Sequence, residues 1–208
     1  EFLDLISPQY VSDLVSWGAI GARTAESQVH RELTSGLSCP MGIKNSTTGD
    51  IQIAIDAIKS AQYQHVFLGT TKKGKIAIFK TSGNDDTHII LRGGLQPNFH
   101  PEDIEGCVKA LQKNEVNANI MIDFSHGNSQ KNHENQKKVC ASVCQQISEG
   151  DKNIIGVMIE SHLKEGAQKI SDKLEYGKSI TDACVHWDET KQLLSDLATS
   201  IKARRSVG

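Results

Sequence analysis

Six ionisable residues stand at or just past the ends of short apolar runs: Arg23, Lys44, Arg92, His126, Glu160 and, after a polar connection, Asp182. In parallel α/β folds ligands bind outside the carboxyl ends of the strands, so charges placed there are placed for chemistry. Arg23, Lys44 and Arg92 are all cationic. Guanidinium groups grip phosphate or carboxylate through two hydrogen bonds, and lysine acts as a point charge. Any one of them alone reads as a rim ion pair; the set reads as a site for a small polyanion. His126, Glu160 and Asp182 offer one imidazole and two carboxylates, a donor set suited to Mn²⁺, Fe²⁺, Co²⁺ or Zn²⁺. Spacing alone does not join these three; their convergence depends on the fold. His162, two residues past Glu160, reads as a surface residue. Lys44 has a rival role, since a lysine at a strand end can form a Schiff base with a carbonyl substrate.

The elements that must position these groups alternate along the chain. Strands are predicted at Ala19–Ala22, Met41–Ile43, His65–Leu68, Ile76–Phe79, Ile89–Leu91, Asn119–Ile122 and Ile154–Ile159. Most are continuously apolar, as strands covered on both faces are. Helices are predicted from Ser7-Pro8, over Glu26–Leu37 and Ile51–Ala61, from Pro101, over Gln136–Ile147 and over Asp188–Lys202. Ile51, Ala54, Ile55 and Ile58 would share one face of the third. Leu193, Leu194, Leu197 and Ile201 would share one face of the last, with Asp188-Glu189 and Arg204-Arg205 complementing its dipole. This rhythm gives an α/β fold with parallel strands. The exception is residues 65–81, two strands joined by a few residues around Lys73-Gly74, which is the spacing of a β-hairpin.

The helix-separated strands number about five, and a complete eight-stranded barrel takes about 250 residues. The 208 residues begin Glu1-Phe2-Leu3-Asp4, without Met, and the start reads as the end of a strand. The expectation is a single partial barrel domain over residues 1–208, short by two or three strands, from a longer gene product. Hydrophobic residues make up 38%, enough for a core. The net charge of −2 argues against a surface built to coat nucleic acid. No apolar stretch approaches the ~18 residues of a membrane span, and no signal peptide is visible. Five cysteines, at 39, 107, 140, 144 and 184, show no zinc-finger spacing and suggest a reducing cytosol. Cys140 and Cys144 share a helix face and read as packing.

Longer motifs carry a resemblance. Gly18-Ala19-Ile20-Gly21-Ala22-Arg23-Thr24 with Glu26-Ser27-Gln28 and His30-Arg31-Glu32, Gly42-Ile43-Lys44-Asn45, and His88-Ile89-Ile90-Leu91-Arg92-Gly93-Gly94 resemble the type I 3-deoxy-D-arabino-heptulosonate-7-phosphate (DAHP) synthases. So do Asp123-Phe124-Ser125-His126-Gly127-Asn128, Glu160-Ser161 and Tyr176-Gly177-Lys178-Ser179-Ile180-Thr181-Asp182. The resemblance implies a (β/α)8 TIM barrel, here missing about its first two to three strands and carrying an inserted β-hairpin at about 65–81. It implies a cytoplasmic homodimer or homotetramer that condenses phosphoenolpyruvate with erythrose 4-phosphate, the first step of the shikimate pathway. Ala22, Arg23, Lys44 and Arg92 would then hold phosphoenolpyruvate, with Glu1 and Asp182 near the substrates. Lys44 and His126 would be catalytic. His126, Glu160 and Asp182 would be three of four ligands to a divalent metal, the fourth being a cysteine in a segment not included in this sequence. The hairpin would help bind an aromatic amino acid effector, with Leu5, Gln9, Leu33, Leu37, Ser38, Phe67, Gly69 and Phe79 at matching positions. Gly69, lacking a side chain, would leave room for a phenol hydroxyl and so points to tyrosine. Two other readings stay open: a fragment that only binds ligands or assembles, and a Schiff-base aldolase using Lys44.

Overall fold

The computed structural model describes residues 8–207. They form two compact units, one of the described residues up to Ile90 together with Cys107–Asn119, the other of Leu91–Gly106 together with Ile120 onward. The Ser7 cap expected for the first helix, and Glu1 and Leu5, lie outside the described residues.

In the first unit a short helix α1 (Pro8–Val11) and a 3₁₀ turn (Ser12–Leu14) precede strand β1 (Gly18–Ile20). Helix α2 (Gln28–Ser35), strand β2 (Met41–Lys44) and helix α3 (Gln52–Gln62) follow. Then come the hairpin strands β3 (Val66–Thr70) and β4 (Ile76–Lys80), and strand β5 (Thr87–Leu91). β1 pairs with β2 in parallel, Gly18 opposite Met41, and β2 pairs with β5, Lys44 opposite Ile90. These strands are buried throughout, which is why their sequences are apolar without alternation. Ile20, Ile43, Ile55, Ile58, Ile89 and Ile90 are completely buried. Ile51 is only half-buried and flanks α3 instead of sharing its buried face, which is Ala54, Ile55, Ala57, Ile58 and Ala61. Ser27 caps α2 by accepting the His30 backbone N–H, and its hydroxyl lies 2.7 Å from His30 Nδ1. Asn84, buried between elements, donates to the carbonyls of Thr34 and Cys39 and so ties the entry of β5 to the end of α2.

The hairpin forms as its spacing requires. β3 and β4 are antiparallel, Phe67 opposite Phe79 and Gly69 opposite Ala77. The turn closes through the Thr71 N–H donating to Lys75 O at 2.8 Å, with Gly74 at φ +71°.

Helix α4 (Pro101–Lys113) starts in the second unit and ends in the first. Its Asp103 carboxylate accepts the His100 N–H, half of a capping box. The second unit continues with β6 (Ile120–Asp123), a 3₁₀ turn (His133–Asn135) and α5 (Gln136–Ser148). β7 (Ile154–Met158) and α6 (Trp187–Val207) complete it. β6 and β7 are parallel, Asp123 opposite Met158. α5 packs on α6; Val139 and Val143 of α5 and Leu193 and Leu197 of α6 are all buried. Leu194, expected on that face, is 50% exposed; Thr190 and Ser200 are buried on that helix instead. α6 also runs five residues past the expected end at Lys202, and Arg204 donates to the carbonyls of Asp151 and Ile154, which holds that last turn in place. The five cysteines are free thiols; Cys140 and Cys144 lie 3.8 Å apart at sulfur on α5. No described helix is long and apolar enough to cross a membrane.

Candidate functional site

The second unit brings His126, Glu160 and Asp182 together. One ligand-type atom from each lies within 4.8 Å of the others. His126 Nε2 is 3.5 Å from Glu160 Oε1 and 3.8 Å from Asp182 Oδ2. Each arrives by a different device. β6 ends at Asp123, and three residues later His126 sits at φ +52°, a left-handed conformation that costs a non-glycine residue energy. The loop around it is over-determined. The N–H groups of Gly127 and Asn128 both reach Arg92 O, and the Asn128 side chain donates to Leu91 O and Asp123 O. Asn128 Oδ1 accepts from Asn98 N, and Asn98 Oδ1 accepts from Gly93 N. Gly93 and Gly127 touch backbone to backbone: a Cβ on Gly127 would lie 2.7 Å from Gly94 N, and one on Gly93 would lie 2.5 Å from Asn128 N. These glycines let the Arg92 and His126 loops approach.

Glu160 follows β7 by two residues. Gln136, fully buried at the start of α5, accepts the Glu160 N–H and donates to its carbonyl, both at 3.0 Å. Ser125 donates its hydroxyl to Glu160 Oε2 at 2.8 Å. Asp182 is exposed, on a connection pinned by backbone bonds between Cys184 and Gly166 and from Val185 N to Glu160 O. Burial raises the pKa of Glu160; the Ser125 hydrogen bond and His126 pull it down, while Asp182 and Asp123 push it further up. A cation would relieve that carboxylate repulsion. His126 Nδ1 is buried and lacks an aligned hydrogen bond, facing Asp123 Oδ2 at 2.9 Å. One imidazole and two carboxylates, with the second ring nitrogen turned to a carboxylate, fit a divalent transition metal.

The cationic residues are divided. Lys44 is the last residue of β2 and is 4% exposed. Arg23 lies further from its strand than the sequence suggests: β1 ends at Ile20, and Arg23 is exposed in the turn that follows, beside half-buried Ala22. Both belong to the first unit. Arg92, one residue past β5, is half-buried in the second, and its backbone carbonyl anchors the His126 loop. His162 is exposed, as expected. A further cluster, His133, Glu134 and Glu165, escaped the sequence reading; there Lys137 Nζ already sits 3.1 Å from Glu134 Oε2.

The first unit contains a cavity of about 560 Å³ between the hairpin and α1–α2. Gln9, Leu33, Leu37, Phe67, Gly69 and Phe79 all line it, with Pro8, Ser12, Val29 and Thr81 in addition. Ser38 does not line it and is exposed. Phe67 and Phe79 stack with centroids 5.9 Å apart. Gly69 does not open onto empty space: a Cβ there would lie 2.9 Å from Phe79 Cδ2, so the missing side chain is filled by that ring.

Sequence reasoning missed Asp123, Ser125 and Gln136, which position the metal-type ligands. A carboxylate ending an apolar strand three residues before a histidine was the available signal for Asp123; nothing local marked Gln136.

Parallel strands delivering an imidazole–carboxylate cluster beyond their carboxyl ends define an α/β protein with a candidate metal centre. Comparison makes this specific. Residues 1–195 match the model of the DAHP synthetase I family. The chain is 59% identical over 207 residues to the Phe-sensitive phospho-2-dehydro-3-deoxyheptonate aldolase of Escherichia coli K12, spanning 99% of this chain and 59% of that protein. It is 53% identical over 206 residues to the Trp-sensitive aldolase of Buchnera aphidicola subsp. Acyrthosiphon pisum, spanning 98% and 59%. A solved phospho-2-dehydro-3-deoxyheptonate aldolase from Francisella tularensis SCHU S4 superposes with a TM-score of 0.94 at 54% identity, covering 98% of this chain and 60% of that one. The chain belongs to the DAHP synthetase I family. It spans about 59% of the length of the curated relatives it matches.

Proposed function

We propose that the protein condenses phosphoenolpyruvate with erythrose 4-phosphate to give DAHP and phosphate, opening aromatic amino acid biosynthesis in the cytoplasm. The observation that carries this reading is the convergence of His126, Glu160 and Asp182 in a chain of this family. A divalent cation held there (Mn²⁺, Fe²⁺, Co²⁺ or Zn²⁺) would supply Lewis-acid polarisation of the aldehyde. Arg23, Lys44, Arg92 and the Ala22 amide are assigned to the phosphate and carboxylate of phosphoenolpyruvate, holding negative charge as it redistributes on the phosphoryl oxygens. With phosphoenolpyruvate so held, its methylene carbon attacks the aldehyde, water adds to the resulting cationic carbon, and phosphate leaves. Lys44 is nearly buried at its strand end, so its charge toward that anion would be little screened by water. Glu1 and Asp182 are assigned to the substrate surroundings.

The same reading takes residues 1–208 as one partial (β/α)8 barrel domain, two to three strands short, with the hairpin at about 65–81 inserted in it. It takes the assembly as a homodimer or homotetramer. It assigns the hairpin cavity to an aromatic amino acid effector, whose size its volume and aromatic lining suit; Ser38, outside that lining, and Leu5, outside the described residues, belong to the set by the family resemblance alone. Tyrosine in the space beside Gly69 requires the Phe79 ring to swing aside.

The test is a synthase assay on the intact natural chain with added Mn²⁺, beside elemental analysis. Phosphate release dependent on both substrates, with His126→Ala losing both metal and activity, is expected. Unchanged metal content in His126→Ala removes the metal assignment.

A further inference from the structure

Asp123 is completely buried and ends β6. Its two carboxylate oxygens face two different groups. Oδ1 accepts the Ser125 N–H at 2.9 Å, which fixes the first residue of the turn leading to His126. Oδ2 lies 2.9 Å from His126 Nδ1, a nitrogen sealed from water and lacking any aligned hydrogen bond. The opposite nitrogen, Nε2, faces Glu160 and Asp182. A neutral imidazole carries one proton, on one nitrogen only. Carboxylates face both nitrogens, but Asp123 Oδ2 is the nearest, at 2.9 Å against 3.5 and 3.8 Å for Glu160 and Asp182, so the single proton of the neutral ring is favoured on Nδ1 and the Nε2 lone pair is left for a cation among the other two.

Resting on the metal reading above, we propose that Asp123 is a positioning residue that sets the His126 tautomer and ring orientation so that Nε2 is the metal-binding atom. Ser125 makes the device doubly useful. Its backbone is held by Asp123, and its hydroxyl holds Glu160 Oε2, so one buried carboxylate aligns two of the three ligands. Asp123 itself does not join the ligand set; both its oxygens are spoken for. Replacing it by asparagine keeps the shape and removes the charge. An amide that keeps its oxygen on Ser125 N–H turns an NH₂ toward Nδ1, and the imidazole proton is then driven to Nε2, where it competes with the cation. Outer partners of this kind are worth about 10–100-fold in metal affinity.

The first measurement is ¹⁵N NMR of the imidazole in the metal-free protein, at a pH where the ring is neutral. A protonated Nδ1 and bare Nε2 on His126 are expected; a protonated Nε2 overturns the proposal without any variant being made. The second is Mn²⁺ titration of wild type, Asp123→Asn and His126→Ala, each checked for folding by circular dichroism. Asp123→Asn is expected to bind Mn²⁺ about 10–100-fold more weakly with the proton moved to Nε2. Wild-type affinity in Asp123→Asn, with His126→Ala dead to Mn²⁺, overturns the positioning role alone. If His126→Ala binds Mn²⁺ like wild type, the metal reading falls, and the NMR result still decides the tautomer.

Discussion

His88 and Glu160 are ionisable groups drawn out of water, one in each compact unit, and their surroundings differ. His88 is 4% exposed on β5 and accepts the Trp17 indole N–H at 3.2 Å; burial alone pulls its pKa down to about 4. Glu160 is half-buried among Ser125, His126, Asp123 and Asp182, so burial is only the first of several pulls on its proton. The first arrangement is a core that tolerates a polar group by keeping it neutral. The second gathers charges that repel one another and are held in place by Gln136, Ser125 and the Asn128 network. A core has no reason to assemble like charges; a cation site does.

The largest effect that can break this contrast comes from the second unit. On the metal reading, Glu160→Ala removes a ligand and should weaken Mn²⁺ binding about 1,000-fold, roughly 4 kcal/mol, while leaving any binding in the hairpin cavity untouched. Isothermal titration with Mn²⁺ and separately with phenylalanine or tyrosine reads both. A matching loss of both would mean that Glu160 supports folding generally and holds no cation.

Next in size is the pH dependence of the first unit. The pKa of His88 is depressed on folding, so the unfolded chain takes up a proton below about pH 6.5 that the folded chain refuses until about pH 4. Stability from this group is fully present above the unfolded pKa and is lost as pH falls through that window. Between pH 7.5 and pH 5 the loss should be about 2 kcal/mol. His88→Gln keeps an acceptor for Trp17 and should flatten the slope. Urea unfolding at the two pH values checks it, and an unchanged slope would assign the acid sensitivity to other groups.

How much of this was legible in the sequence follows from what each residue does. The parallel strands were readable because burial on both faces forces continuous apolar runs such as His88–Leu91. The hairpin was readable because only a few residues separate its strands. His126 and Glu160 could be singled out because they stand just past strand ends, where the backbone fixes their place; Asp182, after a polar connection, carried no such mark. Gln136 was hidden, since its amide clamps the backbone of Glu160, twenty-four residues away, and such a bond has no local pattern. Leu194 was misplaced because helical spacing marks a stripe wider than the face α5 covers. What fills the space beside Gly69 was hidden, because a sequence shows that a side chain is missing but not that the Phe79 ring lies against the gap.

Phe79→Ala is a smaller perturbation than either of those above. It removes a ring stacked on Phe67 from the cavity wall and, on the effector reading, should weaken aromatic amino acid binding about tenfold, or 1.4 kcal/mol. Mn²⁺ affinity should not change, because His126, Glu160 and Asp182 all lie in the other unit. Parallel titrations would show it, and a shift in Mn²⁺ affinity would end the separation of the two sites.

The smallest effect, and the most informative about the cavity, is that of Gly69→Ser. Its Cβ would lie 2.9 Å from Phe79 Cδ2 and 3.0 Å from Cε2, closer than side-chain carbons approach. The ring must move, at a cost of about 1 kcal/mol, as overpacking generally exacts. Because that ring is one half of the stacked pair, its displacement changes the wall against which an aromatic ligand lies. A serine also places a hydroxyl where, on the tyrosine reading, the phenol would sit once Phe79 has swung aside. Tyrosine should therefore lose more than phenylalanine, by about threefold in the ratio of their inhibition constants, or roughly 0.7 kcal/mol. Equal weakening of both would mean that only the wall moved and that Gly69 does not select the effector. An unchanged ratio with unchanged stability would mean that Phe79 yields freely, and neither residue would then account for the choice of amino acid.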